Sequence, residues 1–114
     1  MSLDDEIVLE FIQESSELAE RAANHLTALD QSTSKEILDS LYRDIHTIKG
    51  SAMLFGYPYI GQVAQCMEAS LEPARRQVIV VDPELVDYLL KGNDFITRQL
   101  NFIRNDGKES ASAS

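Results

Sequence analysis

Apolar residues recur along most of the chain at alternating spacings of three and four, the period of helices with one face against a core. The clearest run is Leu38, Leu41, Ile45, Ile48, Ala52 and Phe55. Upstream, Val8, Phe11, Ile12, Leu18, Ala22, Leu26 and Leu29 form another stripe and predict a helix from Asp4 to Leu29. Asp4, Asp5 and Glu6 suit the positive end of its dipole. Asp30-Gln31-Ser32 reads as a turn, and Thr33 with Glu36 three residues later as a capping box opening the second helix. Gly56 is a left-handed cap candidate at the end of that helix, and Pro58 suits the first turn of a third. The third helix should bury Ile60, Val63, Ala64, Met67 and Leu71. Pro73 removes a helical hydrogen bond, so it should either bend this helix or end it within a turn. Asp82 and Pro83 then cap and start a fourth, with Leu85, Leu89, Ile96, Leu100 and Ile103 inward and Asp106-Gly107 as its stop.

Val78-Ile79-Val80-Val81 is the one strand-like run, and with no partner strand it reads as an extended connection packed on the bundle. Four helices with short connections predict an all-α fold, an antiparallel up-down four-helix bundle spanning residues 4–106. Residues 107–114 are small and polar, which predicts a disordered tail or the start of a linker. The length of 114 residues supports one domain with one core. No apolar run approaches the roughly 20 residues of a membrane span. A lone cysteine, Cys66, excludes an internal disulfide, makes a zinc cluster implausible and suits a reducing cytoplasm. A net charge of −9 argues against nucleic acid as a partner.

The polar side of the second helix carries the chemistry. At roughly 100° per residue, His46 lies about 140° from the middle of the apolar stripe and should face solvent. Lys49 at i+3 and Gly50 at i+4 fall on the same outward face. An exposed imidazole offers a nucleophilic lone pair at neutral pH. A lysine one turn away can neutralise an arriving phosphoryl group. Glycine inside a helix costs about 1 kcal/mol relative to alanine, and its missing side chain would let another protein approach the imidazole closely. On the third helix Glu68 falls about 100° from Met67, on a flank that antiparallel packing brings beside the second helix. Phase alone leaves two readings for it: a solvated carboxylate, or an acceptor for one ring nitrogen of His46. Arg43 shares the outward face loosely, either as added positive potential or as an ordinary surface arginine. His25 and Cys66 read as structural, Cys66 at the edge of the core. Tyr42 and Met53 flank His46 and suit either a docking surface or partial burial.

The run His46-Thr47-Ile48-Lys49-Gly50-Ser51-Ala52, followed by Phe55-Gly56-Tyr57, resembles the signature of histidine phosphotransfer (HPt) domains. It looks most like the N-terminal phosphoacceptor domain of CheA-type chemotaxis kinases. The likeness extends over about residues 5 to 104, with Phe11 through Leu29 similar to the family's first helix and Glu84 through Asp94 to its last. The resemblance implies a phosphoacceptor at His46, a phosphoryl-stabilising Lys49, close approach at Gly50 and an imidazole-orienting Glu68. The matching position for a second histidine found in many CheA-type domains is Gln65, which can hydrogen-bond but cannot titrate.

The expected function is therefore a cytoplasmic, monomeric phosphocarrier of a bacterial two-component relay. It would take a phosphoryl group from a kinase ATP-binding domain, in cis or in trans, or from a receiver, and pass it to a response-regulator aspartate. No Gly-rich phosphate loop or carboxylate cluster for Mg²⁺ is visible, so no cofactor of its own is expected, and the partner would supply Mg²⁺. A non-phosphorylated docking module for receivers and a receiver phosphatase using Gln65 or Glu68 are the alternative readings. Glu68 and its flanking matches favour a domain attached to a kinase.

Overall fold

The computed structural model describes residues 3–29, 34–77 and 80–111. Four helices follow one another: α1 (Leu3–Leu29), α2 (Lys35–Phe55), α3 (Pro58–Arg75) and α4 (Pro83–Asp106). Each packs on its neighbours in sequence, and α4 closes back on α1. This is the expected all-α bundle, and no strand occurs among the described residues.

The helix ends follow local chemistry. Gly56 (φ 81°) and Gly107 (φ 79°) take the left-handed conformation and close α2 and α4. Asp82 caps α4 by accepting a hydrogen bond from the Leu85 amide at 2.8 Å. Past Pro73, α3 runs only two residues further, to Arg75. The start of α2 differs from expectation. Ser34 is its cap, accepting from the Ile37 amide at 3.5 Å, so the third helical position holds isoleucine and no reciprocal box forms with Glu36. Thr33, the Asp30-Gln31-Ser32 turn and Val78-Ile79 lie outside the described residues. Val80 and Val81 have no regular structure; Val81 packs on the core and Val80 faces solvent.

The core is the set of apolar stripes, with Leu26, Leu41, Ile45, Ile48, Ile60, Leu71, Leu89 and Ile96 fully buried. Phe11 packs against Phe55 with its ring tilted (5.0 Å between centroids) and stacks on Tyr57 (5.3 Å), which fastens the α2–α3 turn to α1. Five polar residues, Ser15, Asp44, Glu68, Asn93 and Gln99, are buried with the apolar ones. The Asn93 amide donates to the Ala19 carbonyl of α1 at 2.9 Å.

Of the expected tail, residues 112–114 lie outside the described residues, and the part before them departs from expectation. Residues 108–111 lie back on the bundle instead of leaving it. Glu109 accepts from the Tyr59 and Ile60 amides at 3.0 and 2.7 Å, capping α3 where Tyr57 provides no side-chain cap. Buried Gln99 both donates to and accepts from the Ser110 backbone, at 2.6 and 2.8 Å. Free backbone donors at a helix start and a buried amide needing partners together hold this segment in place.

Candidate phosphotransfer site

The buried stripe of α2 turns its opposite side outward beside α3, and His46 stands at that edge with 59% of its side chain exposed. Its Nδ1 lies 3.2 and 3.3 Å from the two carboxylate oxygens of Glu68. Glu68 sits on the facing flank of α3 with only 7% of its side chain exposed. It is more deeply placed than phase alone required.

Burial by itself would push the Glu68 carboxyl up. Hydrogen bonds from Lys49 and His46, together with their charges, outweigh it and hold the group below the usual carboxylate range. Glu68 is therefore an anion that can only accept, so Nδ1 carries the proton and donates. The lone pair is then on Nε2, which has no hydrogen-bond partner among the described residues.

Lys49 takes a different place from the one expected. Its ammonium leans into the α2–α3 seam, with 21% of the side chain exposed, and reaches Glu68 at 2.7 and 3.1 Å. It also donates to the Gln65 side-chain oxygen at 3.2 Å. Gln65 thus holds the lysine rather than the histidine. Gly50 is exposed in mid-helix, and a Cβ placed there would meet nothing within 4 Å.

Arg43 is not brought to the site. It bonds Ser40 at 3.2 Å and lines a cleft toward α1 with Arg21, His25, Asp44 and Thr47. In that cleft Asp44 is buried and held by Arg21, with His25 Nε2 3.9 Å away. Cys66 is exposed rather than at the core edge. Met53 is exposed, while its sulfur lies 2.9 Å from the point where a Cβ on Gly61 would stand.

Sequence reasoning missed the part played by Tyr42. Its ring lies parallel to the imidazole, with 6.1 Å between centroids and 7° between planes. The Arg75 guanidinium sits 4.0 Å from the same ring's centroid. Arg75 in turn donates to Asp39 at 2.9 Å and to Glu72 at 3.1 Å. Burial, then the Glu68 charge and hydrogen bonding of the phenol to that carboxylate, raises the Tyr42 phenol above its ordinary value. An aromatic residue one turn before the histidine was the available signal; its partner Arg75 lay 33 positions away and gave none.

An imidazole with one nitrogen tied to a buried anion and the other open is arranged to accept a group from another molecule. A model of the Hpt domain matches residues 6–102. The chain belongs to the Hpt domain family. This Hpt domain is 29% identical over 102 residues to the chemotaxis protein CheA of Klebsiella aerogenes, an alignment covering 89% of the chain and 16% of that protein. It is likewise 29% identical over 106 residues to the sensor histidine kinase CheAY of Helicobacter pylori, with 92% and 13% covered. The CheA phosphotransferase domain from Thermotoga maritima superposes with a TM-score of 0.84 at 27% identity, covering 88% of this chain and 96% of that one. The chain thus spans about a sixth of the length of the CheA proteins it matches, and nearly the whole of the separate phosphotransferase domain. Its function is histidine phosphotransfer in two-component signalling. Among the described residues, no helix is long and apolar enough to cross a membrane, and no cluster of three or more His, Cys, Asp or Glu could hold a metal.

Proposed function

We propose that His46 Nε2 is the phosphoacceptor, loaded by a kinase ATP-binding domain and unloaded by a response-regulator receiver. The observation that carries this is the bond from His46 Nδ1 to buried Glu68, which leaves the opposite nitrogen as the lone-pair donor on an exposed edge. Nε2 attacks the γ-phosphorus of ATP held by the kinase domain. The N–P bond forms as the bond to the ADP oxygen breaks, and ADP leaves. The imidazole gains positive charge in this step, and the Glu68 carboxylate beside Nδ1–H offsets it. A receiver aspartate then attacks phosphorus from the far side, breaking the N–P bond and regenerating the neutral ring.

Lys49 is within reach of both roles: it neutralises Glu68 at rest and is one turn from His46 when a phosphoryl group arrives. Gln65 steadies it. Gly50 keeps the space in front of the ring clear. Mg²⁺ for both transfers comes with the partner. The similarity to CheA proteins supports a chemotaxis-type kinase as donor, in cis or in trans.

Incubation with a cognate kinase domain and labelled ATP tests this. Label that is acid-labile, alkali-stable and absent from His46→Gln is expected. Dephosphorylation of a receiver by the unlabelled His46→Gln protein would replace this reading with a phosphatase, and a receiver bound without any labelling would replace it with a docking module.

A further inference from the structure

Hydrogen bonding to Glu68 restrains the imidazole at Nδ1, but contacts of 3.2 and 3.3 Å shared between two carboxylate oxygens leave play in the side-chain torsions. A second contact narrows the plane in which Nε2 presents its lone pair. Tyr42, one turn before His46 on α2, supplies a parallel surface: the two planes differ by 7° with centroids 6.1 Å apart, within the range of offset stacking. Tyr42 is itself held. It packs against the core on one side, and the Arg75 guanidinium lies 4.0 Å from its ring centroid.

Arg75 is in turn held by two carboxylates. Asp39 takes Arg75 Nε at 2.9 Å while also accepting from Lys35 at 3.0 Å, and Glu72 takes Arg75 Nη1 at 3.1 Å. A guanidinium is planar and forked, so bonds to two acceptors fix its orientation over the ring in a way an ammonium would not. The result is a continuous series of contacts from the first turn of α2 to the reacting group, along the same seam that carries Glu68.

We infer that Tyr42 is a positioning residue for phosphotransfer, stacking on His46 to set the imidazole plane, with Arg75 locking the tyrosine from the end of α3. The inference rests on His46 as phosphoacceptor. Neither residue touches the phosphoryl group. Their effect falls on how often Nε2 points along the line of attack, and so on the rate of the chemical step rather than on partner affinity.

Phosphoramidate provides the test, because this small donor needs no docking surface. His46 Nε2 attacks its phosphorus, the P–N bond breaks, and ammonia leaves. Tyr42→Leu keeps an apolar side chain in the seam but removes the parallel ring. It is expected to lower the first-order labelling rate at saturating phosphoramidate roughly three- to tenfold, the span an aromatic pair contributes. Tyr42→Phe restores the rate, and Arg75→Met gives an intermediate loss.

Nitrogen-15 spectra of the imidazole supply a readout that a merely structural role would not move. Wild type and Tyr42→Phe should show one tautomer, protonated at Nδ1, and ring-current shifts on the His46 carbon-bound protons. Tyr42→Leu should lose those shifts and broaden the Nε2 signal through ring motion, with Nδ1 still protonated against Glu68, while circular dichroism reports the same folded helix content. Label persisting in His46→Gln overturns the phosphoacceptor reading and this inference with it. With label lost there, a wild-type rate in Tyr42→Leu, or an equal loss in Tyr42→Phe, overturns the positioning role alone.

Discussion

Gly50 separates stability from function, and substituting it should move the two in opposite directions. The residue lies in the interior of α2 and faces solvent, and a methyl group at its Cα would have nothing within 4 Å. Within the isolated domain, Gly50→Ala therefore adds a residue of better helix propensity at no steric cost, a gain of about 0.8–1 kcal/mol. Unfolding entropy near 2.1 cal/mol/K per residue over 114 residues comes to roughly 0.24 kcal/mol/K, so this gain raises Tm by about 4 °C. A partner that approaches the imidazole across this bare backbone meets the new methyl group directly. Overfilling a close-packed contact costs about 1–3 kcal/mol. One methyl belongs at the low end, a loss of roughly fivefold in kcat/KM for transfer to a receiver, and Gly50→Gln at the high end, roughly a hundredfold. Calorimetry gives the first quantity and rapid-quench transfer from the phosphorylated domain the second. Labelling by phosphoramidate, which brings no protein surface, should fall far less than transfer to a receiver. A lowered Tm in Gly50→Ala would show that the helix needs this glycine for its own sake. Undiminished transfer by Gly50→Gln would remove the close-approach role.

Three further outcomes follow from the charges and caps. The Glu68 carboxyl lies below its ordinary value in the fold, so it contributes stability above the unfolded-state value near 4.3 and loses it as pH falls through the folded value. Urea unfolding of wild type and Glu68→Gln should accordingly differ by about 1.5–3 kcal/mol at neutral pH and converge only once pH has fallen below the folded value; a pH-independent gap would contradict this sign. For the buried Asp44 held by exposed Arg21, Arg21→Ala should lower the urea midpoint more than Asp44→Asn, because the first strands an anion inside while the second frees a guanidinium that already reaches water. Glu109→Ala should cost about 1 kcal/mol and speed amide exchange at Tyr59 and Ile60, and unchanged exchange there would mean that the tail does not cap α3 in solution.

What the sequence makes legible divides along the range of each interaction. Gly56, Pro58, Asp82 and Gly107 act within a few residues of themselves, and each ends or starts a helix where local chemistry says it should. The apolar stripes are equally legible, since burial of one helical face leaves a period in the chain. Ser15, Asp44, Asn93 and Gln99 are not, because a polar residue at a core position looks like a break in the pattern until its distant partner is known. Asp44 depends on Arg21, 23 positions away, and Asn93 on Ala19, 74 positions away. For Lys49 the sequence indicates the right region but the wrong neighbour. Helix phase gives its face, whereas the pull of a buried carboxylate across the seam decides where its flexible stem lies.

The legible part of the site has a single geometric origin in the short α2–α3 connection. Two antiparallel helices joined by Gly56 and Tyr57 bring together residues equally far from the turn, so paired residue numbers share one sum. Met53 meets Gly61, Lys49 meets Gln65, His46 meets Glu68, and Asp39 meets Arg75, all obeying the same rule. Steps of three and four along α2 select the seam-facing positions, and the turn assigns each its partner on α3. The left-handed conformation at Gly56 is thus part of the functional geometry although it lies ten positions from His46. It fixes which carboxylate the imidazole finds. The stacked Tyr42 falls within the same series, between the His46 and Asp39 levels, so ring orientation and proton placement derive from one register rather than from separately arranged contacts.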